Sequence, residues 1–449
     1  MLQRQIESYL QAFFAKNKNA LLITGARQVG KTYTIRQFGK GFKSFVEINF
    51  LENRQARALF KNFNSAKDLL LRISAIANKP LIPGRTLIFF DEVQECPEMV
   101  TAIKFLVDEG SYRYILSGSL LGVILKDIQS APVGYMDIVE MYPLNFAEFA
   151  LANGVSKDVM AYLQECFLNA KTPDEIVHTQ MMGLFRLYLV VGGMPAVVQK
   201  YIDTNNIQDV VNMQRGILNL YRKDIAKYDP QEKLLLNEIF ALIPSELNAK
   251  NKRFILKNLH DQAKFNRYAN SFLWLKNSGT ALPVYCVKEP KLPLLLSKTH
   301  NLFKLFMGDV GLLAAMYMNG IQMDILQGEA SINFGAVYEN YVAQELLANG
   351  FELFYFNSKK QGEIDFVVEY KGAVLPIEVK SGKDYQRHNA LANVLEDKNY
   401  NILRAFVFHN GTVEKKDKIC YYPIYMLMFL APQRDLQSFV FKPKVDALM

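Results

Sequence analysis

The residues best placed to do chemistry form a glycine-rich loop near the start of the chain. An apolar run at residues 20–24 is typical of a buried parallel strand, and it leads directly into Gly25-Ala26-Arg27-Gln28-Val29-Gly30-Lys31-Thr32. The glycines allow backbone N–H groups to face phosphate oxygens, Lys31 can reach the β- and γ-phosphates, and the Thr32 hydroxyl can ligate Mg²⁺. Tyr33 continues into a helix whose N-terminus would face the anion. This GxxxxGK[ST] pattern predicts a site that binds ATP together with Mg²⁺.

A second pattern places two acidic residues directly after the apolar residues 87–90. Ligands of parallel α/β sheets bind at the carboxyl ends of the strands, so we expect Asp91 to hold the metal, directly or through water. Glu92 is then placed to polarise the attacking water. With the loop, this pair predicts ATP hydrolysis rather than a static nucleotide clamp, and Lys31 and Glu92 are the predicted catalytic residues.

The elements that must position these residues alternate between strands and helices. Residues 45–50 and 112–116 are further predicted strands, and the alternation predicts a parallel sheet with helices on both faces. Ser117 or Ser119, where the strand at 112–116 ends, could sense the γ-phosphate, and an ordinary strand-to-loop turn explains these serines equally well. We therefore expect an α/β nucleotide-binding domain at the start of the chain.

Several strings of this sequence resemble, in order, the prokaryotic AAA-type ATPases that carry a fused C-terminal domain of unknown function. They are GARQVGKT, FFDEVQECPE, ILSGSLLG, YPLNFAEF at residues 142–149 and the Gly-Gly-x-Pro segment at residues 192–195. The resemblance covers nearly the whole chain. It implies a P-loop NTPase fold of the AAA type.

The sequence departs from that family at one point. Gly134 is followed by Tyr135 where the family usually has a Gly-Arg pair, so an arginine role cannot be transferred to this position. Arg222 could contact phosphate instead, although a solvent-exposed position on a helix is the simpler explanation for it. Because AAA-type sites are commonly completed by an arginine of a neighbouring subunit, the resemblance leaves a homo-oligomer possible.

The middle of the chain has a mainly helical pattern. Residues 151–228 are predicted to be a helical connector or lid, interrupted at residues 192–195, and Pro244 is expected to end the helix that begins near residue 231. Two more predicted helices and a predicted β-hairpin follow, which is the element order of a winged helix. Its candidate recognition helix is not strongly basic, so contact with DNA and contact with a protein both stay open. The polar residues of that helix are Asn266, Arg267, Asn270 and Lys276.

A second group of chemically suitable residues lies on a predicted hairpin in the last part of the chain. Because side chains alternate along a strand, a hairpin can bring Asp365 beside Glu378 with Lys380 adjacent. Two carboxylates form a hard oxygen site for Mg²⁺ or Mn²⁺, and the metal would lower the pKa of a bound water that Lys380 orients or deprotonates. Glu339, on the preceding helix, could be a third ligand or an outer-shell group.

This order of a helical Glu, then Asp, then Glu-x-Lys resembles the restriction-endonuclease-like, PD-(D/E)xK fold. The resemblance implies Asp365, Glu378 and Lys380 as catalytic residues, with Glu339, Asp365 and Glu378 as metal ligands and DNA as the substrate. A hairpin with solvent-facing charges is the simpler alternative, and some proteins of this fold bind without cleaving. Gln386 and Arg387, which we place on the helix after the third strand, could contact a phosphate backbone, although an exposed helix face is again simpler.

Composition excludes several classes of protein. The chain has 449 residues, of which 50% are apolar, and 52 Lys+Arg against 44 Asp+Glu give a net charge of +8. This excludes global disorder and is compatible with a polyanionic partner without requiring one. The four cysteines form no CxxC pair and no apolar stretch is long enough to span a bilayer, so we expect a cytoplasmic protein without membrane contact.

Together these patterns predict an α/β protein of four parts. They are an AAA-type ATPase domain at residues 1–150, the helical connector at 151–228, a winged-helix-like domain at 229–325 and a PD-(D/E)xK nuclease-like domain at 326–449. The leading hypothesis is an ATPase coupled to a nuclease-like domain that acts on DNA. The alternatives are a regulatory ATPase switch whose C-terminal domain binds nucleic acid or a partner without cleaving, and a DNA-binding scaffold with a vestigial ATPase.

Overall fold

The N-terminal part contains a five-stranded sheet in which every pairing is parallel. The computed structural model describes residues 2–119, 134–228, 233–249, 251–259, 265–317, 320–328, 334–382 and 384–432. The sheet has the order β2-β3-β4-β1-β5, and the expected parallel α/β arrangement is confirmed. Its elements are α1 Gln5–Lys16, β1 Ala20–Thr24, α2 Lys31–Gly39, β2 Ser44–Asn49, α3 Ala66–Ile76, β3 Thr86–Asp91, α4 Pro97–Glu109, β4 Arg113–Ser117 and β5 Met136–Glu140.

A run of helices follows, as the sequence pattern predicts. Gly192 adopts a positive φ of 72° between two of these helices, and Gly193 lies against the backbone of Leu144 so closely that a Cβ would clash there. The Gly-Gly segment therefore marks a close backbone approach between the helical part and the end of the ATPase-like part. These helices are α5 Phe146–Ala152, α6 Lys157–Leu168, α7 Glu175–Val191, α8 Pro195–Thr204, α9 Ile207–Tyr228 and α10 Lys233–Asn248.

Helix α10 shows one wrong prediction from the sequence. Pro244 lies inside the helix, which continues to Asn248, instead of ending it. Phe240, Ile243 and Leu247 on this helix are buried in the shared core, and this burial outweighs the hydrogen bond that the proline cannot donate. The first of the two further helices predicted after it, at residues 254–259, is a single 3₁₀ turn, Leu256–Asn258.

The rest of the chain forms an eight-stranded mixed sheet of order β12-β13-β11-β10-β9-β8-β6-β7. Strands β6 and β7 form an antiparallel hairpin where the sequence predicted one, and β6 also pairs in parallel with β8, while the winged helix itself stays a prediction. The sheet therefore continues across residue 325, where the sequence suggested a domain boundary. Its elements are α11 Phe265–Asn277, β6 Ala281–Val287, β7 Lys298–Met307, α12 Val310–Met316, α13 Ile321–Gln327, α14 Gly335–Ala348, β8 Phe354–Ser358, β9 Gly362–Tyr370, β10 Ala373–Val379, α15 Asn389–Glu396, β11 Ala405–His409, β12 Glu414–Lys416 and β13 Ile419–Pro423.

One hydrophobic core joins the two sheets. It runs from Leu21 on β1 through Phe146 and Tyr188 to Tyr341 on α14 and Phe406 on β11. The described part of the chain contains no helix that is both long and apolar enough to cross a bilayer.

Candidate functional site

The phosphate loop connects the buried strand β1 to the start of α2. Three of its residues have positive φ, Gly25 at 130°, Gln28 at 69° and Gly30 at 93°. A Cβ on Gly25 would clash with the backbone of Met141, so glycine is required there for close packing as well as for its φ. The loop thus leads into the N-terminus of α2, where its last residues, Lys31 and Thr32, begin the helix.

Lys31 is turned towards its own loop. Its Nζ donates hydrogen bonds to the carbonyl oxygens of Gly25, at 2.8 Å, and Ala26, at 2.9 Å. Burial lowers the pKa of Lys31 to about 8, and the nearby carboxylates of Glu92 and Asp91 only partly oppose this effect. An anionic ligand beside the ammonium would therefore strengthen its charged form.

Asp91 is the centre of the polar network beside the loop. Its carboxylate accepts hydrogen bonds from the hydroxyls of Thr32, at 3.1 Å, and Ser117, and from the amide of Asn49 at 3.2 Å. Burial raises the pKa of Asp91, and these hydroxyl donors act in the opposite direction. Thr32 and Asp91 supply the oxygen donors that Mg²⁺ prefers, so the residues present fit this cation. Asn49 was not among the predicted site residues, and its signal was a polar residue where β2 ends.

Glu92 and the two candidate serines lie at the same edge of the sheet. Glu92 is half-buried with a left-handed backbone, φ 56°, and its carboxylate accepts a hydrogen bond from Gln94. Ser117 is engaged by Asp91, whereas the buried Oγ of Ser119 has no partner among the described residues. The roles of Glu92 and of the two serines stay predictions. Tyr33, in the first turn of α2, is half-exposed.

Several residues from distant parts of the chain hold the phosphate loop. Arg27 forms a 2.7 Å ion pair with Asp224 on α9, and the Tyr221 hydroxyl donates to the Arg27 carbonyl at 3.1 Å. Arg4 donates to the carbonyl of Val29 at 3.0 Å. Gly279, before β6, lies so close to Ala26 that a Cβ would come within 3.0 Å of it. None of these contacts has a local sequence signal.

Arg222 does not take part in these contacts with the loop. It lies one residue from Tyr221 on α9, but its side chain is exposed and donates to Asn219 at 3.2 Å. Arg222 therefore occupies a solvent-exposed position on the helix, which was the simpler of the two explanations given for it.

In the C-terminal sheet, the predicted pair of carboxylates comes together. Strands β9 and β10 are antiparallel with Phe366 opposite Ile377, which places Asp365 beside Glu378. Asp365 accepts a hydrogen bond from the Val379 backbone at 2.9 Å. Lys380 lies 2.8 Å from Glu378. Burial, followed by the charge of Asp365, raises the pKa of Glu378.

A lysine that was not predicted from the sequence lies at the centre of this cluster. Lys304 on β7 is fully buried, and its Nζ lies 2.8 Å from Glu363, 3.3 Å from Glu339 and 4.0 Å from Asp365. Burial alone would lower the pKa of Lys304, but these three carboxylates raise it above its ordinary value. Lys252 also pairs with Glu339, so this glutamate faces two ammonium groups. The available signal was a charged residue within the apolar stretch 303–307.

The cluster opens into a cavity of about 600 Å³. Lys252, Glu363, Asp365, Glu378 and Lys380 line it. Among the described residues, no group of three or more His, Cys, Asp or Glu side chains is arranged to hold a metal ion. The metal-binding roles of Glu339, Asp365 and Glu378 stay predictions, and Glu339 is paired with Lys252 and Lys304.

The remaining nucleic-acid candidates lie at the surface wherever their side chains are described, and Lys276 lines a cavity that also reaches Thr24 at the end of β1. On α11, which also contains Asn266, the side chains of Arg267, Asn270 and Lys276 are exposed. Gln386 and Arg387 precede α15, which begins at Asn389, so their predicted place on that helix was wrong. They lie instead in a turn that the Arg387 N–H closes by donating to the Asp384 carbonyl at 3.1 Å.

Three family models match separate parts of the chain. Residues 17–150 match a family model described as AAA domain, and residues 182–323 and 334–427 match two models described as domains of unknown function, DUF8612 and DUF4143. The uncharacterized protein MJ1544 of Methanocaldococcus jannaschii is 23% identical over 357 residues, which cover 77% of this chain and 71% of the relative.

Two solved structures align with most of their length. The Walker-type ATPase PABY2304 of Pyrococcus abyssi is 14% identical with a TM-score of 0.44, and the alignment covers 71% of this chain and 96% of that one. The ORC1 protein of Aeropyrum pernix, solved in complex with DNA, is 12% identical with a TM-score of 0.30, covering 70% and 92%. The family match at residues 17–150, the parallel sheet and the phosphate loop together support an AAA-type ATPase.

Proposed function

We propose that the protein hydrolyses ATP in its AAA-type domain and couples this turnover to a C-terminal nuclease-like domain that acts on DNA. The hydrogen-bond network around Asp91 is the observation that supports ATP hydrolysis. Thr32 of the phosphate loop, Asn49 and Ser117 all donate to this one carboxylate, with Glu92 next in the chain. A buried acid fixed beside a phosphate loop is what the metal-assisted hydrolysis of a nucleoside triphosphate requires.

Each residue of this site then has a distinct task. Thr32 and Asp91 would hold Mg²⁺, which neutralises charge on the phosphates when bound. Lys31 would exchange its two carbonyl acceptors, on Gly25 and Ala26, for phosphate oxygens. Glu92 would accept a proton from the attacking water, for which Gln94 holds its carboxylate in place.

Two sets of contacts among the described residues support the proposed coupling. Helix α9 contacts the phosphate loop through Asp224 and packs against α10, and Lys252 at the C-terminal cavity follows α10 in the sequence. Helix α14 carries Glu339 in that cluster and, further along, Glu345, which accepts the backbone N–H of Phe146 at 3.1 Å. A rearrangement at the loop could reach the C-terminal cluster through either set of contacts.

The C-terminal site supports two candidate activities. Asp365 and Glu378 on neighbouring strands, with Lys380 adjacent, favour metal-dependent cleavage of DNA. The buried Lys304 between Glu339, Glu363 and Asp365 favours the second candidate, a regulatory switch whose C-terminal domain binds DNA or a partner without cleaving it.

The test is a paired assay on the purified full chain with ATP and Mg²⁺ or Mn²⁺. ATP turnover is compared between the wild type, Glu92→Gln and, as a matched control, Arg222→Ala, whose exposed side chain lies on α9 without facing the loop. We expect Glu92→Gln to bind ATP but to lose turnover, while Arg222→Ala keeps both. Turnover that survives in Glu92→Gln would contradict the proposed role of Glu92.

The second half of the assay follows single-stranded, duplex and branched DNA with the wild type and Asp365→Ala. Cleavage that disappears in the variant would establish the nuclease. Turnover without cleavage on any of these substrates would favour the switch. Coupling itself predicts that Lys31→Ala alters the action of the C-terminal domain on DNA, and unchanged action would contradict it.

A further inference from the structure

We propose that the ammonium group of Lys304 is the resident cation of the C-terminal carboxylate cluster, in the position that a divalent metal takes in a metal-dependent nuclease site. The inference concerns only the C-terminal half of the proposed function. It selects binding without metal-dependent cleavage and leaves the ATPase proposal unaffected.

The geometry around Lys304 carries this assignment. Its Nζ lies within 4.0 Å of carboxylate oxygens from three residues, Glu363, Glu339 and Asp365, which belong to strand β9 and helix α14. Lys304 itself is on β7, at the far edge of the same sheet. One cation thus ties strand β9 to helix α14, which are two of the three elements that carry the expected metal ligands, while Glu378 on β10 pairs with Lys380.

Lys304 cannot withdraw easily to make room for a metal ion. Its side chain is completely buried, and its backbone pairs opposite Val284 in the β6–β7 hairpin. The ring of Tyr355 lies 5.2 Å from the ammonium group. Moving this ammonium to solvent would require opening the hairpin, and moving it elsewhere inside would leave it buried and unpaired.

The charges of the cluster also balance without a metal. Four carboxylates, Glu339, Glu363, Asp365 and Glu378, face three lysines, Lys252, Lys304 and Lys380, and Arg253, which lies 3.9 Å from Glu363. A divalent ion added to these eight groups would place two further positive charges beside Lys304. Its repulsion with that buried ammonium opposes binding.

The experiment is a titration of the nucleotide-free full chain with Mn²⁺ alone, followed by electron paramagnetic resonance. All proteins carry Asp91→Asn, which removes the carboxylate that would hold a cation beside the phosphate loop. We expect the parent to show no Mn²⁺ binding that depends on Asp365, and Lys304→Met to gain one site that binds Mn²⁺ at least ~10-fold more tightly. Adding Asp365→Asn to Lys304→Met should remove this gained site.

The proposal would be overturned if the parent protein bound one Mn²⁺ and Asp365→Asn abolished this binding. The native cluster would then bind a metal ion although Lys304 is present. This comparison does not need Lys304→Met to fold. If that variant does not fold, Lys304→Gln, which removes the same charge but keeps a polar side chain among the carboxylates, replaces it with the same expected gain. No gain in any folded lysine variant would equally overturn the proposal.

Discussion

The two candidate sites each contain a buried lysine near carboxylates, and the two lysines are in opposite electrostatic situations. Lys31 donates to two neutral carbonyl groups, and burial lowers its pKa to about 8 despite Glu92 and Asp91. Lys304 contacts three carboxylates directly, and they raise its pKa although burial acts to lower it. The first ammonium lacks a close anionic partner, whereas the second already has several.

The phosphate-loop site therefore lacks an anion to pair with its lysine, whereas the C-terminal cluster already neutralises its own lysine. A phosphate group would give the buried Lys31 ammonium an anionic partner, and this interaction favours binding of a nucleotide. At Lys304 an added anion would meet a surrounding ring of carboxylates. The sequence motifs alone treat both regions as metal-and-phosphate sites, and only the contacts of the two lysines distinguish them.

The largest expected effect is on ATP turnover when the unpaired lysine is removed. We expect Lys31→Met to lower turnover about 100-fold or more, because no other described side chain replaces its contact with the transferred phosphate. Binding of a fluorescent ATP analogue and steady-state phosphate release would measure the loss. Lys40→Met, an exposed lysine beyond the end of α2, is the matched control and should retain turnover. Equal losses in both variants would remove the special role of Lys31.

The opposite site should lose stability rather than activity. Lys304→Met leaves Glu339, Glu363 and Asp365 with fewer partners in a buried position, and we expect it to lower the free energy of unfolding by about 3–5 kcal/mol. Urea unfolding at neutral pH would measure this cost. Combining Lys304→Met with Glu339→Gln should recover part of the loss, because one uncompensated charge is removed as well. Strictly additive losses would show that Lys304 and Glu339 do not interact as described.

The position of Lys304 in the C-terminal cluster could not be predicted from the sequence. Asp365 and Glu378 could be paired from the sequence because period-two alternation and the turn at Lys371-Gly372 fix the register of one local hairpin. Lys304 and Lys252 reach the same cluster only because β6 pairs with β8 and α14 packs beneath the sheet. These are non-local contacts that no local pattern encodes. The phosphate loop, by contrast, is one continuous segment, and its motif predicted its position before α2.

A third effect should appear as a dependence of stability on pH. Burial raises the pKa of Glu345 to about 8, and its Oε2 accepts the Phe146 N–H while its Oε1 has no partner among the described residues. Between the ordinary value near 4.5 and about 8, the folded state keeps a proton that the unfolded state has lost. The free energy of unfolding should therefore fall as pH rises through this range, by roughly 2–4 kcal/mol from this one group.

Glu345→Gln tests this dependence because glutamine is neutral at every pH and still offers an oxygen to Phe146. We expect the variant to match the wild type near pH 4.5 and to become the more stable protein above pH 8. Urea unfolding of both proteins at several pH values isolates the contribution of this residue from other titrating groups. Parallel curves for the two proteins would show that Glu345 is already ionised in the folded state.

The smallest expected effect concerns the ion pair that tethers the phosphate loop. Arg27 is partly exposed, so we expect Asp224→Asn to change the free energy of unfolding by less than about 1 kcal/mol. Its effect on ATP should be larger than its effect on stability, because Arg27 lies within the loop that must rearrange when Lys31 exchanges its carbonyl acceptors. Glu47→Gln breaks the similarly exposed pair with Arg36 outside the loop and is the matched control. A change in ATP affinity in Asp224→Asn alone would establish that α9 restrains the loop. Equal changes in the two variants would show that the Arg27–Asp224 pair acts only as an ordinary surface ion pair.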